Sequence, residues 1–98
     1  MQMRELRVVK SFRKDMKKLG KNEIEKTKAI VRQLQADIPL EPKYRDHQLH
    51  GNYEGWSECH VEPDLLLVYK KGEDDNTLYL ALLRISSHTN IFSVKKSF

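Results

Sequence analysis

The first 40 residues of the chain show a strand-like segment followed by two helical stripes of apolar residues. Residues 5 to 9 predict a short strand. A helix is expected next, with Ser11 as its N-cap and Gly20 as its end. Its apolar face recurs at positions i, i+4 and i+7, which are Phe12, Met16 and Leu19.

A second helix is expected directly after Gly20. Asn22 and Glu25 have the three-residue spacing of a capping box, and Pro39 stops the helix. Its apolar stripe comprises Ile24, Thr27, Val31, Leu34 and Ile38. Because the connection is short, the two helices are expected to run antiparallel to each other.

After Pro39 the helical periodicity gives way to the pattern of strands. Residues 42 to 56 mix Pro, Gly, Asn, His and aromatic residues without a period, which predicts an ordered loop. Three strands follow at 57–62, 65–71 and 78–86, with turns at 63–64 and 72–76. The unbroken apolar run from Leu65 to Tyr69 predicts a central strand that is buried on both faces.

These elements predict an α+β fold in which two N-terminal helices pack on one face of a mostly antiparallel sheet. The other face of the sheet is then left for a functional site. The 98 residues show no internal repeat and no linker, so residues 1–98 are expected to form one domain.

Composition restricts the class of protein. Hydrophobic residues make up 39% of the chain and charged residues 33%, which is typical of a compact globular domain. The single cysteine, Cys59, excludes an intramolecular disulfide, and the N-terminal stretch lacks the apolar core of a signal peptide. No apolar run is long enough for a membrane helix, so we expect a cytoplasmic protein.

Positive charge is concentrated in the N-terminal third. The net charge is +4; residues 1–32 contain eleven Lys or Arg against four Asp or Glu, whereas residues 33–98 contain seven against ten. A basic surface of this kind fits a phosphate backbone, although lysine-rich helices also serve solubility alone. Charge by itself leaves both interpretations open.

All the histidines lie in the C-terminal half, at His47, His50, His60 and His88. Strand alternation places Glu58, His60 and Glu62 on one face of the strand, away from the apolar face that Cys59 and Val61 occupy. Asp64 follows in a turn, where its carboxylate is expected near His60. Because histidine ionises near neutral pH, the group is a candidate for proton transfer, whereas His50 alone is expected to be an ordinary loop residue.

Arg84 and Phe92 have two interpretations each. By alternation, Arg84 shares a strand face with the leucines at 78, 80 and 82, which is unusual for a charge unless it binds an anion or forms an ion pair. Phe92 either anchors the last segment in the core or stacks on a nucleobase.

A metal site fits the sequence poorly. Cys59 and His60 are adjacent, so they project to opposite faces of a strand, and the pair His47 and His50 falls in an irregular loop. The chain also has no Cys-x-x-Cys motif. We therefore expect no metal and no other cofactor.

Several of these residues occur in a recognisable order. The pattern is Asp46-His47 with Leu49 and Gly51, the run from His60 to Tyr69, the run from Arg84 to His88, and Phe92. It resembles the YafQ-like branch of the RelE/ParE superfamily of bacterial toxins from type II toxin–antitoxin systems. The resemblance covers nearly the whole chain, and His-Val-Glu-Pro-Asp before an apolar strand is its most specific part. Ser57 departs from the basic residue often found there, and residues 93–98 run past the aromatic where relatives commonly end.

The resemblance implies a ribosome-dependent endoribonuclease that cuts messenger RNA in the decoding site of the small subunit, with a fold like that of small microbial ribonucleases. It also implies an antitoxin encoded beside the toxin and a toxin–antitoxin complex that binds operator DNA. The implied catalytic residues are His47, His60, Asp64 and His88, and the implied substrate-binding residues are Arg84 and Phe92. Contacts to ribosomal RNA are expected from Arg13, Lys14, Lys17, Lys18, Lys21 and Lys28.

These residue types suit RNA cleavage without a metal. Attack of the 2′-hydroxyl on the adjacent phosphorus needs a base, an acid at the departing 5′-oxygen and positive charge at the phosphate. We assign His60 with Asp64 to the base, His88 to the acid, Arg84 to the charge and His47 to phosphate positioning or a proton role, with base and acid interchangeable. Two alternatives are a toxin that poisons a DNA topoisomerase and a non-enzymatic nucleic-acid-binding module, neither of which requires these histidines.

Overall fold

A computed structural model describes residues 3 to 92. Five strands form one sheet in the order β1-β5-β4-β3-β2, in which β1 is parallel to β5 and the other neighbours are antiparallel. The strands are β1 Glu5–Val8, β2 His47–Gln48, β3 Ser57–Glu62, β4 Leu65–Asp74 and β5 Thr77–Ser86. The helices are α1 Lys10–Met16, α2 Lys21–Gln35 and α3 His88–Phe92. The predicted α+β fold is confirmed, while residues 93–98 lie outside the described part.

The central strand β4 is buried on both faces, as its apolar run predicts. No residue from Leu65 to Tyr69 is more than 5% exposed. On one face, here called the helix face, Leu67 and Tyr69 pack in a core that includes Phe12 of α1 and Leu34 of α2. Full burial of one such apolar side chain contributes about 1.5–3 kcal/mol. The packing of both N-terminal helices on one face is therefore confirmed.

The opposite face, here called the second face, carries Leu66 and Val68 and is only partly open. A smaller cluster covers these two residues, formed with Leu49, Tyr53, Trp56, Leu83, Ile91 and Phe92. The expectation that the second face is left free is therefore wrong in part. The loop before β3 and helix α3 cover its centre because two fully buried apolar residues there need a cover.

The predicted helix ends need correction. Ser11 is not an N-cap: α1 begins at Lys10 after Val9, and the Ser11 hydroxyl donates to the Leu83 carbonyl at 2.6 Å. Gly20 does not end α1 but is the N-cap of α2, and its N–H donates to Glu23 Oε1 at 2.9 Å. The capping interaction therefore lies two residues earlier than the predicted pair Asn22 and Glu25.

Helix α2 also ends earlier than the apolar stripe suggests. It stops at Gln35, and Asp37 adopts a left-handed conformation with φ 58°. Ile38 is consequently 45% exposed instead of continuing the buried stripe.

Among residues 3 to 92, no helix combines the length and hydropathy needed to cross a bilayer.

The hairpin between β4 and β5 is tighter than predicted. Both strands extend to a two-residue turn, Asp75-Asn76, in which both residues have positive φ. Such a turn matches the right-handed twist of the flanking strands. Gly72 is therefore a strand residue and not a turn residue. A side chain at Gly72 would collide with the ring of Tyr79, its partner on β5.

Helix α1 seals the edge of β5 beyond the end of β1. The Val9 N–H donates to the Leu82 carbonyl at 3.0 Å, and β1 pairing stops there. Farther along, the Ser11 hydroxyl binds Leu83 and the Ile85 N–H donates to Asp15 Oδ2 at 3.0 Å. Side chains of α1 thus replace the missing strand, which brings a buried carboxylate close to the end of β5.

Candidate functional site

Several of the residues proposed for chemistry share the second face of the sheet. Paired residues of antiparallel strands point to the same face. One row across four strands consists of His47, Glu58, Val68 and Arg84, and the next row consists of His60, Leu66 and Ser86. Neighbouring strands lie roughly 4.8 Å apart, so roughly 10 Å separates the backbones of His60 and Ser86. His88 follows Ser86 by two residues and therefore lies at the same end of the sheet.

His47 is held by its backbone neighbour and by a buried acid. Its Nδ1 lies 2.6 Å from the carbonyl of Arg45, and its Nε2 lies 3.7 Å from Glu58 Oε2. Arg45 adopts the left-handed conformation, with φ 50° and ψ 47°. Because a carbonyl oxygen only accepts, Nδ1 carries the hydrogen. His47 therefore presents Nε2 to Glu58 and to solvent.

The loop that carries His47 is tied to the core. The hydroxyl of Tyr69 donates to the carboxylate of Asp46. Burial and this acidic partner raise the pKa of Tyr69 well above its usual range, so the hydroxyl stays protonated and donates at all relevant pH values. The sequence pattern does not predict this anchor.

His60 lies where β3 bends. The pairing of β3 with β4 shifts between His60 and Glu62, so Glu62 leaves the alternating pattern and pairs with Lys26 Nζ of α2 at 2.7 Å. The prediction that Glu62 shares the face of His60 is therefore wrong, because a bulge breaks the alternation. His60 Nδ1 lies 3.3 Å from the Pro63 carbonyl, which leaves Nε2 for a ligand. His60 is one of the residues that line an open cleft of about 630 Å³ between β3 and α2.

Asp64 connects the β3–β4 turn to α3. The N–H of His88 donates to Asp64 Oδ1 at 3.1 Å. Asp64 was expected near His60, but its hydrogen bond is with the backbone of His88, while His60 Nδ1 contacts the Pro63 carbonyl. Asp64 is exposed.

An aromatic group surrounds His88. Its ring centroid lies 4.9 Å from that of Phe92, and the Phe92 ring meets Tyr53 edge-on at 5.4 Å. The Tyr53 hydroxyl donates to the Ile91 carbonyl at 3.2 Å. Phe92 is half-buried in the second-face cluster and contacts His88, so the packing role is observed and stacking on a base stays a prediction.

Arg84 does not share a face with the leucines at 78, 80 and 82. A register shift at Val68 and Tyr69 pairs Leu82 with Tyr69 on the helix face and Arg84 with Val68 on the second face. The Arg84 side chain reaches α1, where Nε and Nη2 donate to Asp15 at 2.6 and 3.1 Å. The buried Asp15 carboxylate raises the pKa of Arg84. The ion pair is therefore observed, and anion binding by Arg84 stays a prediction.

The six residues expected to contact ribosomal RNA are all exposed. They lie on α1, on the connection to α2 and on α2: Arg13, Lys14, Lys17, Lys18, Lys21 and Lys28. His50 is also exposed, in the loop before β3. In the described range 3–92, no group of three or more His, Cys, Asp or Glu side chains is close enough to hold a metal.

Cys59 takes no part in the chemistry of this surface. It is fully buried on the helix face, and burial raises the pKa of its thiol to about 12. A thiol of this kind is almost wholly protonated near neutral pH and is therefore a poor nucleophile.

Sequence comparison identifies a family. Residues 4–93 match the model of the bacterial toxin of type II toxin–antitoxin system, YafQ. Over 33 residues the chain is 48% identical to the mRNA interferase toxin YafQ of Escherichia coli K12; this segment is 34% of the chain and 36% of that protein. The chain thus matches only about a third of the length of this curated relative.

Solved structures agree over a longer range. The metal-bound toxin from Helicobacter pylori is 41% identical, with a TM-score of 0.77 over 92% of the chain and 100% of that structure. The crystal structure of the E. coli DinJ-YafQ toxin–antitoxin complex is 31% identical, with a TM-score of 0.76 over 93% of the chain and 99% of the matched chain. The chain therefore belongs to the YafQ family of bacterial toxins from type II toxin–antitoxin systems.

Proposed function

We propose that this toxin is an endoribonuclease that cuts messenger RNA on the ribosome. The name of its E. coli relative, an mRNA interferase, supports the reaction class. The observation that carries the proposal is the bond from the His88 N–H to Asp64, because it joins the turn after His60 to the start of α3. The backbone segments that carry His60 and His88 are thereby joined at one end of the sheet.

In the proposed reaction the 2′-hydroxyl attacks the neighbouring phosphorus while the P–O5′ bond breaks. His60 removes the proton from the 2′-hydroxyl and His88 protonates the departing 5′-oxygen, or the two roles are exchanged. The backbone spacing of roughly 10 Å between the His60 and Ser86 positions leaves room for a phosphodiester between the two side chains. Asp64 orients this pair through its turn and its bond to His88.

Arg84 is proposed to stabilise charge on the phosphate. A guanidinium carries five N–H donors. Asp15 binds two of its nitrogens, so other donors remain for a non-bridging oxygen. His47, whose Nε2 points outward beside Glu58, is proposed to position the phosphate or share a proton transfer. Phe92 is proposed to stack on a base beside His88.

The decisive experiment is single-turnover cleavage of messenger RNA on programmed ribosomes at saturating ribosome concentration. His60→Ala, Asp64→Ala and His88→Ala are each expected to lower the rate by about 10²- to 10⁴-fold while ribosome binding persists. His50→Ala is the matched control and is expected to change little. Near-normal cleavage by both His60→Ala and His88→Ala would refute the proposal and favour a topoisomerase poison or a binding module.

A further inference from the structure

A cleft opens at the outer edge of β3, beyond the end of β2. β2 pairs with Ser57 and Glu58, and within residues 3 to 92 no strand pairs with the outer side of β3 farther along. The cleft, here called the edge cleft, is the open space of about 630 Å³ that His60 helps to line. Because the space lies at an edge, side chains from both faces of β3 reach it, and both His60 and Val61 line it.

Two segments of the chain form the other walls of the edge cleft. One is a face of α2 whose residues recur at i, i+3, i+4 and i+7, namely Lys26, Ala29, Ile30 and Gln33. The other is a single 3-10 turn, Pro42–Tyr44, with Arg45 directly after it. Ile30 is 4% exposed and gives the cleft an apolar floor, whereas Ala29 is exposed and too small to fill the space. The cleft therefore stays open between the helix and the turn.

The charge of the edge cleft is positive. Lys26 Nζ lies 2.7 Å from Glu62 Oε2, so these two charges compensate each other. Lys43 and Arg45 are exposed, and no acidic side chain among residues 3 to 92 lies within ion-pair distance of either. The lining therefore carries two uncompensated cations next to His60 and fits a ligand with negative charge.

Tyr44 adds an aromatic wall beside these cations. Its ring is partly buried against the helix-face core, and Lys43 Nζ lies 5.2 Å from the ring centroid. A cation next to an aromatic ring over an apolar floor suits both parts of a nucleotide, because the cation binds the phosphate and the ring stacks on the base. A simple inorganic anion would leave the ring and the floor unused.

We propose that the edge cleft binds the nucleotide of the messenger RNA that adjoins the cut on the His60 side, with its base against Tyr44 and a phosphate at Lys43 and Arg45. The inference rests on the proposed function, because His60 sets the position of this nucleotide relative to the cut. Arg45 has a second link to the site, since its carbonyl lies 2.6 Å from His47 Nδ1 and accepts that hydrogen. A phosphate at the Arg45 side chain therefore binds the same residue that orients His47.

The test uses the full chain and a labelled tetranucleotide with 2′-fluoro riboses, which lacks the attacking hydroxyl and cannot be cleaved. Binding is followed by fluorescence anisotropy and by the amide NMR shifts of Ala29 and Arg45. Tyr44→Leu keeps an apolar side chain against the core and removes the ring, so it is expected to weaken binding by about fivefold or more. Tyr44→Phe keeps the ring and is expected to bind like wild type. Ala29→Met fills the cleft from an exposed helical position and is expected to weaken binding as Tyr44→Leu does.

The charge of the cleft is tested with a matched pair of arginines. Arg45→Gln is expected to weaken binding by about threefold or more at low salt, because it removes a phosphate contact. Arg32→Gln is the same change at an exposed arginine of α2 that does not line the cleft, and it is expected to change binding less than about twofold.

Circular dichroism of each variant checks that it is folded. Equal binding by Tyr44→Leu and Tyr44→Phe would overturn the proposal, as would equal losses from Arg45→Gln and Arg32→Gln. Inorganic phosphate that displaces the tetranucleotide at similar concentration would identify a site for simple anions and would also overturn it. Weaker ribosome binding by Tyr44→Leu with undiminished tetranucleotide binding would assign the cleft to ribosomal RNA instead. The tetranucleotide is not cleaved, so failure here leaves the nuclease proposal untouched, whereas failure of the nuclease proposal shows as near-normal cleavage by His60→Ala and His88→Ala.

Discussion

Replacing Asp15 with alanine is expected to destabilise the fold by about 2–4 kcal/mol. The carboxylate is 7% exposed and accepts bonds from the Ile85 N–H and from two nitrogens of Arg84. A backbone N–H left without a partner costs about 1–3 kcal/mol, and breaking a fully buried ion pair costs about 3–5 kcal/mol. Both costs arise from the loss of one carboxylate, and Arg84 keeps partial access to water at 26% exposure, so the expected total of about 2–4 kcal/mol is smaller than the sum of the two values.

A double-mutant cycle separates the two contributions. Arg84→Met removes the charge while keeping the aliphatic stem, and Asp15→Ala combined with Arg84→Met is expected to cost less than the sum of the single changes. Contacting ion pairs typically give coupling energies of about 0.5–3 kcal/mol. Asp15→Asn keeps an acceptor for the Ile85 N–H and loses the charge, so the stability of this variant is expected to lie between those of wild type and Asp15→Ala.

The assay is urea unfolding, in which the slope of the unfolding free energy against urea concentration is expected to be the same for wild type and variants. Asp74→Ala is the control, because Asp74 forms an exposed ion pair with Arg7 and its loss is expected to matter far less. A coupling energy indistinguishable from zero between Asp15 and Arg84 would contradict the reasoning. An Asp15→Ala change as small as that of Asp74→Ala would contradict it as well.

Four further outcomes are expected. The RNA product is expected to end in a 2′,3′-cyclic phosphate or in the 3′-phosphate formed from it by hydrolysis, and excess EDTA is expected to leave the chemical step intact. End-group mapping that shows 3′-hydroxyl ends would count against this. Lys17→Ala and Lys28→Ala weaken ribosome binding and make it less steeply dependent on salt, so the loss relative to wild type is largest at low salt, and the saturated rate is unchanged. Expression of the toxin alone is expected to arrest growth, and co-expression of an acidic partner protein is expected to restore it; growth curves measure both effects. Lys71 and Arg4 lower the pKa of Asp37. The ionised Asp37 therefore contributes to folding stability above about pH 4, by less than about 1 kcal/mol at this half-exposed site, and the contribution is lost as pH falls. Asp37→Asn should make stability depend less on pH in the acid range, as unfolding curves measured at several pH values would show.

The long elements of this fold were predictable because their patterns are local. The run from Leu65 to Tyr69 indicates a central strand, since a short run of consecutive apolar residues between turn signals is typical of a strand covered on both faces. Strand β2 and helix α3 were missed. β2 has two residues and α3 has five, too few for a period to be visible.

The side-chain geometry of the site was less predictable because it depends on register. One shift between β4 and β5 moves Arg84 to the second face, and another between β3 and β4 turns Glu62 toward α2. Such irregularities come from pairing between strands and leave no mark in either strand alone. Asp15 did carry a signal: it follows Ser11 by four residues, so the two polar side chains share one side of α1 next to its apolar face.

Because Cys59 is buried, the reactivity of its thiol reports unfolding of the chain. Burial raises the pKa of the thiol to about 12, so the thiol is protonated near neutral pH, and the closed core excludes reagents from the sulfur. A maleimide therefore labels Cys59 only when the strands around it separate, so the labelling rate measures that opening. The same inertness lets a cysteine introduced on the surface accept a dye selectively without removal of the native one.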